Sequence, residues 1–311
     1  MKVYRDLSGE ITPGTAATIG IFDGVHLAHK QIITRLKELS LEKGCESLLV
    51  TLWPHPRYVL NKDADSLKLL TTLDEKLCLL ETAGLQNVLL IPFDAQFAST
   101  SFDKFIKRII VDKLRARHLV VGFNHQFGRD RQGNFDSLKL LAEKNNIELE
   151  QMPKIMVGEQ RVSSSVIRNQ ISTGEIVTAN KLLGYEYILT GKIVHGNKVG
   201  RKLGFPTANI EVAELYKLIP ADGVYAIEAI FGNTRLKGML NIGTRPTIDN
   251  RGIKVIEANF FNFEGNLYNT FITIKFHKRI REEIKFESAE KLVEQIQNDK
   301  QTIINYFNTI K

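Results

Sequence analysis

The sequence predicts two domains: a Rossmann-like α/β domain built on a parallel sheet, followed by a small antiparallel β-barrel with a C-terminal helix. A chain of 311 residues has room for two domains. Its first half alternates short apolar runs with segments of helical periodicity, as in a parallel sheet with helices on both faces. From about residue 185, closely spaced runs of β-branched and aromatic residues indicate antiparallel strands. The predicted domains are residues 1–183 and 184–311.

The sequence of the first half predicts strands that alternate with helices. An apolar run at 15–22 predicts a buried strand, and the spacing of Ile32, Ile33, Leu36 and Leu39 predicts the helix after it. Strands are also predicted at 47–52, 87–92 and 118–122, and helices at 30–43, 74–82 and 102–114. Ligands of such sheets lie at the carboxyl ends of the strands, so we expect the site there.

The second half contains the pattern of a small barrel. Turn residues such as Gly232-Asn233 separate several of its apolar runs. A final helix over 288–307 presents Leu292, Ile296 and Ile303 on one stripe that can dock on the barrel. The predicted strands are 187–194, 224–231, 236–242, 255–263 and 271–276.

Composition and charge exclude several classes of protein. Apolar residues make up 43% of the chain and charged residues 25%, as in globular proteins. No secretory signal and no apolar run of roughly 18 residues is visible, so we expect a cytoplasmic protein without a membrane partner. Cys45 and Cys78 lie in apolar stretches, so buried thiols are expected rather than a disulfide. The net charge of +7 is spread over both halves, which disfavours nucleic acid and suits small anionic substrates such as ATP.

The run Gly20-Ile21-Phe22-Asp23-Gly24-Val25-His26-Leu27-Ala28-His29 lies where the first buried strand gives way to a helix. Gly24 allows a tight turn, and the helix N-terminus offers N–H groups to phosphate. His26 and His29 are three residues apart, so both project from one side and can donate hydrogen bonds to a phosphate. Surface histidines or a metal site are the alternatives, although no Cys or Glu supplies further zinc ligands at the usual spacing.

Two further clusters suit nucleotide binding. Ser163-Ser164-Ser165 resembles a helix N-cap, and Arg168 in the next turn can hold a phosphate through two hydrogen bonds. The segment 121–128 follows a predicted strand, where Asn124 suits a base or phosphate edge. Capping alone explains one of the serines, and loop structure explains the second cluster equally well.

The chain resembles the bacterial bifunctional riboflavin kinase/FMN adenylyltransferase family over residues 15–307. The resemblance lies in four segments that follow one another in this order: the two-histidine turn, the Pro54-His55-Pro56 loop, the Val121-Gly122-Phe123-Asn124 segment and the Ser163–Arg168 helix. The resemblance implies a nucleotidyltransferase-type first domain in which His26 and His29 contact the ATP phosphates. It also implies binding residues for ATP and FMN, which are Gly24, Asn124, Ser164, Ser165 and Arg168, and a flavin contact at His125.

Three positions depart from the usual residues of the family. Ala28 replaces a glycine, Ser165 a threonine and His125 a phenylalanine. None of these changes removes a group that the chemistry needs.

The second half carries a glycine-rich run that ends in Gly204-Phe205-Pro206-Thr207-Ala208-Asn209. The glycines at 196, 200 and 204 let backbone N–H groups approach phosphate closely, so Gly196, Gly200 and Gly204 are expected to bind ATP. Thr207 and Asn209 face the same side of an extended segment, and their oxygens suit Mg²⁺ bound with ATP. A turn in which they only cap the backbone is the alternative. The whole string resembles the riboflavin kinase signature.

Glu257 lies among apolar neighbours in a predicted strand, where a charge either faces solvent or serves a site. A kinase that transfers to a hydroxyl group gains from a carboxylate that accepts the proton. The resemblance implies that Glu257 is this base for riboflavin, and that Arg245 contacts the flavin or a phosphate unless it is a salt-bridged loop residue. The basic stretch 277–281 is expected to be a solvated face, partly neutralised by the two glutamates after it.

The resemblance implies that riboflavin, FMN, FAD and ATP are the substrates and products. The alternatives are an enzyme in which only one activity survives, and a flavin- or RNA-binding module without catalysis. A module that only binds has no need of a base such as Glu257.

Overall fold

The computed structural model describes residues 1–6, 11, 14–60, 67–123, 134–195, 204–232, 234–245 and 253–310. These residues fold into two compact units. The first comprises Met1–Lys68 and Leu73–Ser164, and the second comprises Leu69–Thr72 and Ser165–Lys311. Residues 165–183, which lie before the expected domain boundary, therefore fold with the second unit. No helix of the described residues is long and apolar enough to cross a membrane.

The first unit contains a six-stranded parallel sheet, which confirms the predicted fold class. Its strands are β1 (Lys2–Tyr4), β2 (Ala16–Ile19), β3 (Ser47–Trp53), β4 (Asn87–Pro92), β5 (His118–Val121) and β6 (Glu148–Gln151), in the order β1-β4-β3-β2-β5-β6. Its helices are α1 (Leu27–Lys43), α2 (Pro56–Val59), α3 (Leu73–Thr82), α4 (Ala95–Ala98), α5 (Phe102–Phe105), a π-helix (Ile106–Lys113) and α6 (Phe135–Lys144). A hairpin follows, of β7 (Met156–Val157) and β8 (Gln160–Arg161).

Two apolar clusters cover the two faces of this sheet. In β3, Leu48 and Val50 belong to one cluster and Leu49 to the other, as expected when successive strand residues point to opposite faces. Leu36 of α1 lies in the cluster with Leu49, whereas Ile109 of the π-helix lies in the cluster with Val50. Helices therefore pack on both faces, which leaves the strand ends for the site.

Some details of the first unit differ from the predictions. The predicted helix over 102–114 is an α-helix only to Phe105 and then a π-helix, a difference that apolar spacing does not reveal. The strand β6 was not predicted, because its sequence Glu-Leu-Glu-Gln lacks an apolar run. Cys45 is half-buried and Cys78 is exposed, so the expectation of two buried thiols is wrong. Cys78 is two residues from both Lys76 and Leu80, which are buried, and so faces the other side of α3.

The second unit is a closed antiparallel barrel with a C-terminal helix, as predicted. Its strands are β9 (Tyr187–Val194), β10 (Ala208–Glu211), β11 (Gly223–Phe231), β12 (Thr234–Arg245), β13 (Ile253–Phe260) and β14 (Phe271–Arg281). Its helices are α7 (Ser164–Thr173), whose first residue is counted with the first unit, α8 (Ile176–Leu183) and α9 (Ala289–Thr309). Ile303 and Phe307 of α9 are buried against Val224, Ala226 and Met239, so α9 covers part of the outer face of the barrel.

A segment from the first half of the chain, Leu69–Thr72, belongs to the second unit. The N–H of Leu218 donates to the carbonyl of Leu69 at 2.8 Å. The buried ammonium of Lys217 donates to the carbonyl of Leu70 at 2.7 Å. The second unit thus contains a buried lysine that holds main-chain carbonyl groups.

Leu36→Ala is expected to lower the free energy of unfolding of the first unit by about 2–5 kcal/mol, because Leu36 is fully buried. The measurement is urea unfolding followed by the fluorescence of Trp53, the only tryptophan of the chain, which packs against the same cluster. Leu41→Ala on the same helix is the matched control, since Leu41 is 86% exposed. It should change the free energy by no more than about 0.5 kcal/mol. Equal losses would contradict this orientation of α1.

Candidate active sites

The turn between β2 and α1 has an unusual backbone. Phe22, Gly24 and Val25 have φ values of 53°, 82° and 36°. Glycine adopts this left-handed region freely, but it is costly for an aromatic or β-branched residue. The role predicted for Gly24 in a tight turn is confirmed. A turn with two such non-glycine residues persists only when its surroundings hold it.

His26 and His29 lie together at the start of α1, on one side, as predicted. Their rings are stacked with centroids 3.6 Å apart, and the ring of Phe22 stacks on His29 at 4.4 Å. Burial, aided by His26 and Lys76, holds the pKa of His29 well below its usual value. Nδ1 of His29 is buried without a hydrogen-bond partner among the described residues. The neutral ring therefore has capacity left for a ligand.

Three side chains hold carbonyl groups of this turn. Ser164 Oγ donates to the carbonyl of Asp23 at 3.0 Å. Lys76 Nζ and Thr51 Oγ1 donate to the carbonyl of Ile21 at 3.0 and 3.3 Å. Ser164 was a predicted site residue, whereas Lys76 and Thr51 were missed because nothing in their own segments marks them.

The other predicted residues of the nucleotide site do not lie in the described part of the first unit. Ser165 and Arg168 lie on α7 in the second unit, where Arg168 Nη1 donates to Ser165 Oγ at 3.4 Å. Asn124 and His125 lie outside the described residues.

A row of polar residues crosses three neighbouring strands of the barrel. Glu257 of β13 pairs with Asn209 of β10 on one side and with Asn241 of β12 on the other. Residues directly opposite in an antiparallel pair project from the same face. Thr207 is two residues from Asn209, and Asn259 is two residues from Glu257. Alternate residues of an extended chain point to the same side, so Thr207 and Asn259 lie on the same face of the barrel as Glu257. The pairing brings Asn209 to Glu257, and it adds Asn241, which was not predicted.

A cavity of about 350 Å³ lies over this row. The outer face of the barrel and α9 both line it, with Glu257 and Thr207 among the barrel residues. The other walls are mostly apolar or aromatic and include Phe205, Phe286 and Leu292. Seven of the fourteen lining residues are polar or charged, so the cavity combines apolar walls with several hydrogen-bonding groups, as sites for organic ligands do.

A second cavity, of about 290 Å³, shares Thr207 with the first. Phe260, Phe263 and Tyr268 contribute aromatic walls, and the ring of His195 stacks on Tyr268 at 4.0 Å. The two cavities therefore meet at Thr207.

The remaining predicted residues of the second unit are described only in part. Gly204 has a φ of 82°, in the region that favours glycine. Gly196 and Gly200 lie outside the described residues, and Arg245 ends β12 with its side chain outside them.

The basic stretch 277–281 is not the solvated face that the sequence predicts. It belongs to β14, and only Lys278 of its basic residues is exposed. Arg281 Nε and Nη2 each lie 2.9 Å from Asp299 Oδ2, whose carboxylate on α9 is buried. Arg281 also lines the first cavity. The carboxylate of Asp299, which is distant in sequence, neutralises the charge of Arg281, so the guanidinium does not have to be solvated by water.

The donors of the second unit suit a hard divalent cation. Thr207 and Asn209 offer a hydroxyl and a carboxamide oxygen, with the carboxylate of Glu257 opposite Asn209. No group of three or more His, Cys, Asp or Glu residues within the described ranges could hold a metal ion by itself. This arrangement fits a cation that takes few protein ligands and completes its shell with phosphate oxygens and water.

Two families match the chain in succession. The FAD synthetase family matches residues 9–166, and the riboflavin kinase family matches residues 183–307. A bifunctional riboflavin kinase/FMN adenylyltransferase of Buchnera aphidicola is 35% identical over 100% of both chains. Its counterpart in Bacillus subtilis is 36% identical over 94% of this chain and 92% of its own. A macrolide-efflux protein from Streptococcus pneumoniae has a crystal structure that covers 97% of this chain and 98% of its own, with a TM-score of 0.88 and 27% identity.

His29 predicts how the stability of the first unit depends on pH. The pKa of folded His29 lies well below its usual 6.5, so below pH 6.5 the unfolded chain binds a proton that the folded chain excludes. Stability therefore falls as the pH falls, by about 1 kcal/mol between pH 6.5 and 5.5. Urea unfolding followed by Trp53 fluorescence measures it. His29→Gln cannot take up this proton and should lose about 1 kcal/mol less over the same range. Equal losses in the two proteins would refute the neutral state of His29.

Proposed function

The chain belongs to the bifunctional riboflavin kinase/FMN adenylyltransferase family, and we propose that its two reactions take place at the two sites described above. The protein phosphorylates riboflavin to FMN with ATP, and then adenylates FMN to FAD with release of pyrophosphate. The proposal assigns riboflavin phosphorylation to the Glu257 cavity and adenylyl transfer to the turn with His26 and His29. The observation that carries it is the carboxylate of Glu257 at the wall of an apolar cavity that adjoins a second one.

For the kinase reaction, riboflavin occupies the first cavity and ATP the second. The apolar and aromatic walls of the first cavity suit the flavin rings, and Tyr268 in the second suits the adenine base. Thr207 lines both cavities, so the γ-phosphate belongs near it. Glu257 accepts the proton of the 5′-hydroxyl as its oxygen attacks the γ-phosphorus, and the bond from that phosphorus to ADP breaks.

The family uses a divalent metal with ATP, and the finer proposal is Mg²⁺ held by Thr207 and Asn209. Bound there, the ion neutralises charge on the transferring phosphoryl group. Glycine residues of the preceding loop, Gly196, Gly200 and Gly204, are proposed to approach the phosphates through their N–H groups, and Arg245 to contact the flavin or its phosphate.

For adenylyl transfer, an oxygen of the FMN phosphate attacks the α-phosphorus of ATP, and pyrophosphate leaves. The phosphate itself is the nucleophile, so the protein orients the substrates and stabilises charge. His26 and His29 are proposed to donate hydrogen bonds to the phosphates, beside the N–H groups at the start of α1. The other proposed contacts are Gly24, Asn124, His125, Ser164, Ser165 and Arg168.

Two further statements about the chain are proposals. The functional boundary is proposed at residues 183 and 184, between the matched regions at 9–166 and 183–307. The cytoplasm is proposed as the location, and the free thiols of Cys45 and Cys78 support a reducing compartment.

The test of the function is a time course of products separated by chromatography, with riboflavin, ATP and Mg²⁺ added to the pure protein. FMN is expected first and FAD second. FMN without FAD, or no product at all, would contradict the proposal.

Glu257→Gln should lower the rate of FMN formation at least about 100-fold, because the amide cannot accept the proton. FAD formation from supplied FMN should remain, since Glu257 has no part in that reaction. The same chromatographic assay measures both steps. His29→Gln is the reciprocal variant and should lower FAD formation about 100- to 1000-fold while FMN formation persists. Loss of both activities in either variant would overturn the assignment to two sites.

Asn209→Ala should raise the Mg²⁺ concentration that half-saturates FMN formation by several-fold, because one proposed oxygen ligand is lost. The rate of FMN formation is measured over a Mg²⁺ titration. FAD formation from FMN is the internal control and should keep its Mg²⁺ dependence. An unchanged half-saturating concentration would show that Asn209 is not a ligand.

A further inference from the structure

Lys76 is a buried lysine of the first unit, and it has no role in the adenylyl transfer as proposed above. It lies on α3 and is 2% exposed. Burial of an ammonium is costly unless its charge and its hydrogen bonds are compensated. Lys76 Nζ donates to the carbonyl of Ile21 at 3.0 Å and lies 5.1 Å from the ring centroid of Trp53. The charge of Asp23 also favours its protonated form.

The contact with Ile21 connects Lys76 to the two histidines through a short series of contacts. Ile21 precedes Phe22, whose φ of 53° begins the strained part of the turn. The ring of Phe22 stacks on His29, and His29 stacks on His26. A donor that fixes the carbonyl of Ile21 therefore fixes the direction in which the chain enters this stack.

The charge of Lys76 acts on the same stack. Among the described residues, Asp23 in the turn acts on the charge of Lys76, and Lys76 acts with His26 on His29 at the start of α1. Burial lowers the pKa of Lys76 to about 8, with Asp23 opposing the shift, so most of it carries a proton at neutral pH. In a poorly solvated site one such charge attracts phosphate strongly and disfavours a second proton on the neighbouring imidazole.

We propose that Lys76 is a positioning residue for adenylyl transfer: it holds the turn through the carbonyl of Ile21 and places a buried positive charge near His29. This inference rests on the proposed assignment of adenylyl transfer to His26 and His29. It adds a residue that acts through the turn and through His29.

The test compares Lys76→Met with the unaltered protein in FAD formation from FMN between pH 6 and 9.5. We expect kcat at neutral pH to fall at least about tenfold, with the KM for FMN within about threefold of its original value. In the unaltered protein kcat/KM, which reports the free enzyme, should decline on the alkaline side as Lys76 loses its proton, with an apparent pKa near 8. The methionine variant should lack this decline.

Imidazole NMR gives a readout that a purely structural role would not change. Loss of the neighbouring charge should raise the pKa of His29 in Lys76→Met, because burial and His26 alone then hold it down. A variant with FAD formation within about threefold of the original and an unchanged His29 titration would overturn the inference.

Two controls exclude general effects of the substitution. Riboflavin kinase activity reports the second unit of the same molecule and should stay within about twofold. Lys217→Met removes another buried lysine, which donates to the carbonyl of Leu70 and lies 4.5 Å from the ring centroid of Tyr187. It should leave FAD formation intact, and a tenfold loss there would show that any buried lysine matters equally, against the inference.

Two results separate failure of this inference from other failures. If Lys76→Met loses both activities, Lys76→Arg decides, since it keeps the charge and a donor. A rate of FAD formation at least about tenfold above that of the methionine variant supports the inference. A rate equal to that of the methionine variant, with normal kinase activity, overturns it.

If His29→Gln keeps FAD formation, the assignment of the site fails, and the inference that rests on it is overturned with it. If only Lys76→Met keeps FAD formation, the inference alone fails.

Discussion

The kinase half depends on the register in which β10, β13 and β12 pair. Glu257 lies opposite Asn209 and Asn241, while its neighbours Ile256 and Ala258 are buried. Because strand residues alternate between faces, a slip of one residue would bury the carboxylate and expose its apolar neighbours. The alternation that fills the barrel therefore also directs Glu257 to the cavity side. The position of the proposed base follows from the packing of the core.

A buried ion pair beside the first cavity determines how the C-terminal helix packs on the barrel. Arg281 and Asp299 join β14 to α9 beside the first cavity, and the N–H of Gln295 Nε2 donates to Asp299 Oδ1 at 2.8 Å. A buried ion pair contributes little net stability, since desolvation offsets its attraction. Its geometry nevertheless fixes where α9 lies on the barrel, and α9 supplies a wall of the cavity. The pair shapes the proposed flavin site more than it strengthens the fold.

Sequence patterns predicted the fold well where a signal lies within one segment. The apolar run of β3, the spacing of α1 and the hairpin strands of the barrel all encode their own structure. The same holds for His26 and His29, whose spacing of three places both rings on one side. Lys76 was missed for the opposite reason: on a short amphipathic helix a lysine is usually solvated, and only the packing of that helix beneath Ile21 buries it.

Arg281 was missed for a related reason, since a basic stretch looks solvated until Asp299 on a distant helix is brought to it. The two proposed sites offer phosphate different groups. The barrel offers neutral and acidic oxygens that suit a metal ion, whereas the turn offers N–H groups, the neutral ring of His29 and one buried ammonium. A poorly solvated site cannot hold several positive charges near each other at acceptable cost, because each one disfavours protonation of the next. His29 is held neutral chiefly by its burial, to which His26 and Lys76 add, so in the proposed site it can only donate a hydrogen bond to phosphate and cannot form an ion pair with it.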